Sequence, residues 1–266
     1  MKKSLFDLTG QVAVITGGGS GIGKSIAMYL AQEGASICIV GRNPDRLEST
    51  AQEIVNEGGK CIKVVANVQQ ADQIDNMVKE TVEQLGRIDI LVNNAGGNYT
   101  RDGSPPTRLI EELTAEEWDY ILEVNLKSVF LVTRAVVPHM KRQNYGRIIN
   151  VSSIVGRVGV PFITLPYSTA KAGILGFTRT LAHQLGPKGI TVNTIAPGYI
   201  LSSSRLEKIW EERQRSGIAD QVINSIPMKR LGKPEEVAAV VALLASDKAS
   251  YITGSVIDIF GGAFML

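Results

Sequence analysis

Apolar residues along this chain follow two rhythms that alternate. Short runs are apolar at nearly every position: "QVAVIT" at 11–16, "SICIVG" at 36–41, "CIKVVA" at 61–66 and "IDILVNNAG" at 88–96. Between them, apolar residues recur at about every third or fourth place, the spacing of one helix face. Such stretches cover 21–34, 45–59, 71–86, 114–141, 166–185 and 233–246. Thr114 and Glu117 make a capping box at the start of 114–141. Pro234 stands near the start of 233–246, where a helix tolerates it. Further strands are read at 146–153, 189–198 and 255–262.

Strand and helix in alternation predict βαβ units, hence a parallel sheet with helices on both faces. The near-continuous apolar runs "AVIT" and "DILV" suit a sheet buried on both sides. The expectation is an α/β fold with a doubly wound parallel sheet. Two stretches break the rhythm, 97–113 and 199–232. Both follow carboxyl ends of strands, where doubly wound sheets bind ligands, so they are expected to form a substrate lid and wall.

Composition excludes more than it adds. Hydrophobic residues make up 44% of the 266 positions, enough for a substantial core. Lys plus Arg is 28 against 26 for Asp plus Glu, so no global basic field points to nucleic acid. The N-terminus lacks the apolar run of a signal peptide, and no stretch nears the about 18 apolar residues of a membrane span. A cytoplasmic protein with no membrane partner is expected. Cys38 and Cys61 fall in predicted strands, with neither metal spacing nor a disulfide framework, so buried reduced thiols are expected. His139 and His183 are far apart in sequence, and no metal is expected.

Two short stretches carry chemistry. "TGGGSGIG" at 16–23 joins the first strand to the first helix with the spacing T-G-x-x-x-G-x-G, fixed by Gly17, Gly21 and Gly23. Glycines there let backbone N–H groups approach a pyrophosphate, and the helix N-terminus adds partial positive charge. "YSTAK" at 167–171 places Tyr167 and Lys171 one helical turn apart on one face. A cation beside a phenol favours phenolate and lowers a pKa of ~10, giving a proton-transfer group near neutral pH. Taken singly, each stretch has a bland alternative: a tight turn, and an exposed amphipathic pair.

Their order along the chain decides. T-G-x-x-x-G-x-G is followed by "NNAG" at 93–96, by Asn125 in "EVNLKS", by Ser153 in "NVSS", by Tyr167-x-x-x-Lys171 and by Pro197-Gly198. In these six motifs the chain resembles the short-chain dehydrogenase/reductase family, in its form of about 250 residues, over roughly 8 to 262. The resemblance implies a Rossmann-type sheet of about seven strands in one NAD(P)-binding domain over 1–266. It implies hydride transfer between a nicotinamide cofactor and a secondary alcohol or ketone. Tyr167 would be the general acid/base, Lys171 would lower its pKa and bind the nicotinamide ribose, and Ser153 would hold the substrate oxygen. Asn125 would support a water linking Lys171 to solvent. Gly17, Ser20, Gly21, Ile22, Gly23, Arg42, Asn43, Asn67, Val68, Asn94, Ala95, Gly96, Pro197, Gly198, Ile200 and Ser202 would line the cofactor, with Tyr167 and Lys171. A homotetramer is implied, with helices 114–141 and 166–185 between subunits and the apolar tail "GGAFML" at a second interface. A catalytically silent dinucleotide sensor is the alternative; such proteins typically lose the tyrosine or lysine kept here. An epimerase or dehydratase is a third reading, disfavoured by the glycine spacing.

The chain also departs from the family. Ser153 and Tyr167 lie fourteen positions apart, one or two more than usual, so the intervening segment is expected to bulge, with Phe162 and Leu165 as apolar wall. Ser152 is ranked below Ser153. Asn67 replaces a common aspartate and is expected to accept an adenine amino hydrogen. Ser202 replaces a threonine. At the end of the second strand, where NAD-binding relatives usually carry an acid, stand Gly41 and Arg42. A guanidinium pairs with a 2′-phosphate, so NADP(H) is expected in preference to NAD(H), which stays admitted. Asp45, after Pro44, reads as a helix cap. Arg101, Arg108, Arg205, Arg213 and Arg215 are interleaved with glutamates and read as a solvated surface. The substrate, whether 3-oxoacyl, sugar, polyol or steroid-like, is left open.

Overall fold

A computed structural model of the chain describes residues 5–107, 109–160, 163–202, 204–215 and 217–264, apart from the side chains at 204, 205, 208 and 209. Arg108, Phe162, Met265, Leu266 and the side chain of Arg205 therefore lie outside the described residues. Among the described residues there are seven strands: β1 (Val12–Thr16), β2 (Ser36–Gly41), β3 (Cys61–Val65), β4 (Ile90–Asn93), β5 (Gly146–Val151), β6 (Ile190–Pro197) and β7 (Val256–Ile259). They form one sheet in the order β3-β2-β1-β4-β5-β6-β7. Every pairing is parallel. The expected doubly wound parallel sheet of about seven strands is what forms.

Alternate strand residues feed opposite cores, as the pleat demands. Ala13, Ile15, Ile37, Ile39, Ile90 and Val92 pack on one face under α1 (Gly21–Gln32), α2 (Pro44–Asn56) and α9 (Pro234–Ala245). Val14, Cys38, Val40, Leu91, Ile148 and Val192 point the other way, under α3 (Ala71–Leu85), α5 (Ser128–Gln143) and α6 (Leu165–Leu185). This is why the central strands read as unbroken apolar runs. Cys38 is buried, but Cys61 is only half-buried, because β3 is an edge strand; both are free thiols. Burial pushes both up to about 12.

The expected helix over 114–141 is interrupted. It consists of α4 (Ala115–Leu122), a π-turn over Glu123–Lys127 and then α5. Asn125 sits in that turn and donates through Nδ2 to the Ile121 carbonyl at 2.9 Å. A side chain that takes a ladder acceptor competes with the backbone N–H, and the helix widens by one residue. The insertion at 199–232 holds α7 (Ser204–Arg215) and α8 (Ile218–Ser225). The 97–107 part of the other insertion is loop, folded on itself through Thr100, Asp102 and Ser104. No helix among the described residues is long and apolar enough to cross a membrane.

A buried polar chain ties β4, β5 and β6 to the helices beneath. Asn93 Nδ2 donates to Asn150 Oδ1 (2.8 Å) and Thr133 Oγ1 (2.9 Å), Asn150 Nδ2 to Thr178 Oγ1 (2.9 Å), and Thr194 Oγ1 to Thr178 Oγ1 (2.7 Å). Inside a low-dielectric core each unmade bond would cost about 1–3 kcal/mol, so the chain locks the relative heights of the strands whose ends bear the site.

Candidate active site

The glycine turn leaves β1 pinned to β2: Gly17 N–H donates to the Val40 carbonyl at 2.7 Å. Gly17 has φ +69°, and a Cβ there would stand 2.8 Å from Asn94 Nδ2. A Cβ on Gly23 would collide with the Gly17 carbonyl. Asn94 Nδ2 in turn donates to the Thr16 carbonyl (2.9 Å), and the Thr16 hydroxyl accepts from the N–H groups of Asn94 and Ala95 (3.0 Å each). So the turn and the "NNAG" segment form one unit. Ser20 precedes α1 in an extended conformation with no side-chain cap bond, and the first turn, which includes Ile22, carries no acid. The first turns of α2, α3, α4 and α9 carry Asp45, Asp72, Glu116 and Glu235. A helix start with unneutralised donors and room made by glycine fits a pyrophosphate.

Other expected cofactor residues gather round this turn. The Ser202 carbonyl lies 2.7 Å from where a Gly21 Cβ would stand, so the segment after Pro197-Gly198 closes against the glycine turn. Ile200 is buried and its backbone pairs with Gly232. Arg42 and Asn43 are exposed at the end of β2. Asn43, not Asp45, caps α2, its Oδ1 accepting from Arg46 N–H at 2.9 Å, because Pro44 takes the first helical position. Asn67 Oδ1 accepts from Gln69 N–H at 3.1 Å, beside a half-buried Val68.

The reacting groups meet at the end of β5. Ser152 and Ser153 separate cleanly. Ser152 is buried and its hydroxyl donates to the Lys171 carbonyl at 2.7 Å. Ser153 opens the 3₁₀ turn Ile154–Gly156, its hydroxyl accepting from Val155 N–H at 3.4 Å, and it is close enough to the phenol of Tyr167 to favour its ionised form. The Tyr167 ring packs between Tyr120, Ile121 and Val124 on one side and Ile154, Val155 and Phe260 on the other. It is half-buried, so the cleft stays accessible. The longer Ser153–Tyr167 segment does supply apolar wall, through Val158, Val160 and Ile163. Leu165 does not belong to it: at the first position of α6 it is 45% exposed.

The expected pKa shift of Tyr167 runs the other way. Burial pushes the phenol up to about 12; the Ser153 hydroxyl opposes this and the neighbouring Tyr99 adds to it. Lys171 Nζ stands 5.6 Å from the centre of the Tyr167 ring and donates to the Val151 carbonyl at 2.9 Å. Its own burial pulls it down to about 8. Helical spacing brings the pair together as read, but desolvation outweighs their mutual effect. Asn125 is fully buried and clasps Gly97: its Oδ1 accepts from Gly97 N–H and its Nδ2 donates to the Gly97 carbonyl, both at 2.9 Å. A Cβ on Gly96 would lie 2.5 Å from that Oδ1.

Sequence reasoning missed Tyr99 and Thr164, which stand in stretches without motif or period, and Phe260, which lies in the last strand-like run. Among the arginines, Arg101 lies over the Tyr120 ring at 5.3 Å, and Arg215 reaches Glu211 at 4.0 Å.

A family model described as enoyl-(acyl carrier protein) reductase matches residues 17–263. The chain is 44% identical to the 3-oxoacyl-(acyl-carrier-protein) reductase FabG of Thermotoga maritima over 255 residues, 96% of this chain and 98% of that one. Levodione reductase superposes with a TM-score of 0.88 at 36% identity, covering 96% of this chain and 97% of that one. A 3-oxoacyl-(acyl-carrier protein) reductase with bound NAD from Brucella melitensis superposes with a TM-score of 0.86 at 31% identity, covering 98% and 93%.

Burial of Lys171 carries a stability consequence with a definite sign. Below about pH 8 the lysine is charged both folded and unfolded, and folding bears its full desolvation penalty. Between pH 8 and 10.5 the unfolded chain binds more protons, so stability rises with pH. Lys171→Met is therefore expected to be more stable than wild type at pH 7, by about 1–3 kcal/mol, with the gap closing as pH rises towards 10.5. Denaturant melts of both proteins at several pH values check this; a gap that widens with pH contradicts it.

Proposed function

Because the chain belongs to the short-chain dehydrogenase/reductase family, and is thus an NAD(P)-dependent oxidoreductase, we propose that it passes a hydride between NADP(H) and a ketone/secondary alcohol pair, acting reductively on a 3-oxoacyl thioester. The observation that carries this reading is the meeting of Ser153, Tyr167 and Lys171 at the end of β5, beside the glycine turn. The thioester comes from the names of relatives such as FabG.

Gly17, Ser20, Gly21, Ile22 and Gly23 would hold the pyrophosphate, and Asn67, Val68 and the 94–96 turn would contribute to the adenosine side. Pro197, Gly198, Ile200 and Ser202 would hold the nicotinamide end, and Lys171 its ribose. When bound, the dinucleotide supplies the hydride. Ser153 donates a hydrogen bond to the substrate oxygen, and Tyr167 gives that oxygen its proton. A phenol pushed up to about 12 stays protonated at neutral pH, the form that reduction requires. Asn125 keeps the 96–97 backbone in place beside Lys171, alongside any support it gives to a proton-relaying water.

At the end of β2, the nearest atoms to a Cβ on Gly41 would be those of Leu47, from 3.5 Å, so the position before Arg42 has room and carries no acid. This supports NADP(H) over NAD(H), with NAD(H) admitted. The exposed Phe130 on α5, with Arg134 stacked on it at 5.6 Å, supports packing of that helix against another copy in a homotetramer; a monomer by light scattering at micromolar concentration would refute that assembly.

The direct test follows NADPH oxidation with acetoacetyl thioester, with an enoyl thioester or a cyclic diketone as rival substrates, and NADP⁺ reduction with a polyol. Reduction of the 3-oxo group is expected. Tyr167→Phe and Ser153→Ala should each lose at least about 100-fold in kcat, with NADPH affinity within a few-fold of wild type. Ser152→Ala should lose stability before it loses chemistry. Turnover of the enoyl thioester alone, or near-normal kcat in Tyr167→Phe, would overturn the reading. Gly41→Asp/Arg42→Leu is expected to move the kcat/KM ratio towards NAD(H); an unmoved ratio refutes the role of Arg42.

A further inference from the structure

Two consecutive loop residues tie the catalytic helix to the far end of the dinucleotide cleft. Asn98 Oδ1 accepts from the Thr164 hydroxyl at 2.6 Å, and Thr164 is the buried residue that opens α6, three positions before Tyr167. Tyr99 folds back over Gly97, where a Cβ would collide with its ring, and packs with Tyr120, Ile121 and Val124 next to Tyr167. Its hydroxyl accepts a hydrogen bond from Arg42 Nη2 at 3.4 Å. Tyr99 thus stretches from the proton-transfer end to the end of β2, and occupies the guanidinium that would meet a 2′-phosphate.

We infer that Tyr99 is a specificity-determining residue: its phenol is a neutral stand-in for a 2′-phosphate on Arg42, which a 2′-phosphorylated dinucleotide must displace and an unphosphorylated one need not. The inference rests on the reading of Arg42 as the 2′-phosphate contact. A phosphate offers charge-assisted, two-pronged pairing to a guanidinium, and a neutral phenol offers one long bond. Phosphate therefore wins the exchange, but binds more weakly than it would to an unoccupied arginine. By linkage, whatever holds Tyr99 on Arg42 opposes the phosphate by the same factor.

The test is a double-mutant cycle on equilibrium binding of NADPH and NADH, followed by nicotinamide fluorescence, in wild type, Tyr99→Phe, Arg42→Leu and the double variant. Tyr99→Phe keeps the ring and removes only the acceptor. It is expected to bind NADPH about two- to four-fold more tightly than wild type, to bind NADH unchanged, and to make no difference in the Arg42→Leu background. If Arg42→Leu weakens NADPH but Tyr99→Phe is neutral, weakening, or equally effective without Arg42, the role of Tyr99 falls and the reading of Arg42 stands. If Arg42→Leu leaves NADPH affinity unmoved, both fall.

Discussion

The ammonium of Lys171 is buried at the end of β5 with the Val151 carbonyl as its acceptor, and the site is arranged around that burial. Ser152 grips the lysine's own carbonyl, fixing α6 against the strand. Gly156 has no side chain because the Lys171 backbone passes 2.6 Å from where a Cβ would stand. With the helix so pressed, Tyr167, one turn earlier, can only face Ser153. A lysine held down to about 8 and a tyrosine held up to about 12 are two groups destabilised in their charged forms. Functional sites are where folds tolerate such arrangements.

The sheet makes this geometry reproducible. Parallel strands bring the carboxyl ends of β1, β2, β4, β5 and β6 to one edge, so the glycine turn, Arg42, the 93–97 turn, Ser153 and the 198–202 segment lie at the same edge of the sheet. The buried chain from Thr133 through Asn93, Asn150 and Thr178 to Thr194 fixes strand register where apolar packing alone would allow small slips. Asn125 then fastens the loop beyond β4 to the widened turn of its helix. The chemistry proposed at Tyr167 and the recognition proposed at Arg42 are separate in sequence but share one frame, bridged by Asn98 and Tyr99.

Strands, helices and the Ser153–Tyr167–Lys171 constellation were legible because each rests on a local rule: apolar continuity, glycine at a turn, i to i+4 spacing. The break at Asn125 was not, since a π-turn leaves the apolar period almost intact; an asparagine amid helix formers was its one trace. Asn43 as cap of α2 could have been read from Pro44 following it. The direction of the Tyr167 shift could not. Spacing reveals which charges are neighbours, while burial depends on Phe260, Val155 and Tyr120, brought in from distant parts of the chain. Tyr99 was invisible for a similar reason, since loop length sets no register.

The central claim is that the protein's own groups hold Tyr167 protonated. NMR titration of protein carrying carbon-13 at the tyrosine phenol carbon tests it, with Tyr167→Phe assigning the resonance among the seven tyrosines. The account predicts that Tyr167 in the free protein shows no ionisation through pH 10, in keeping with a value of about 12. A Tyr167 that ionises near neutrality in the free protein would contradict it.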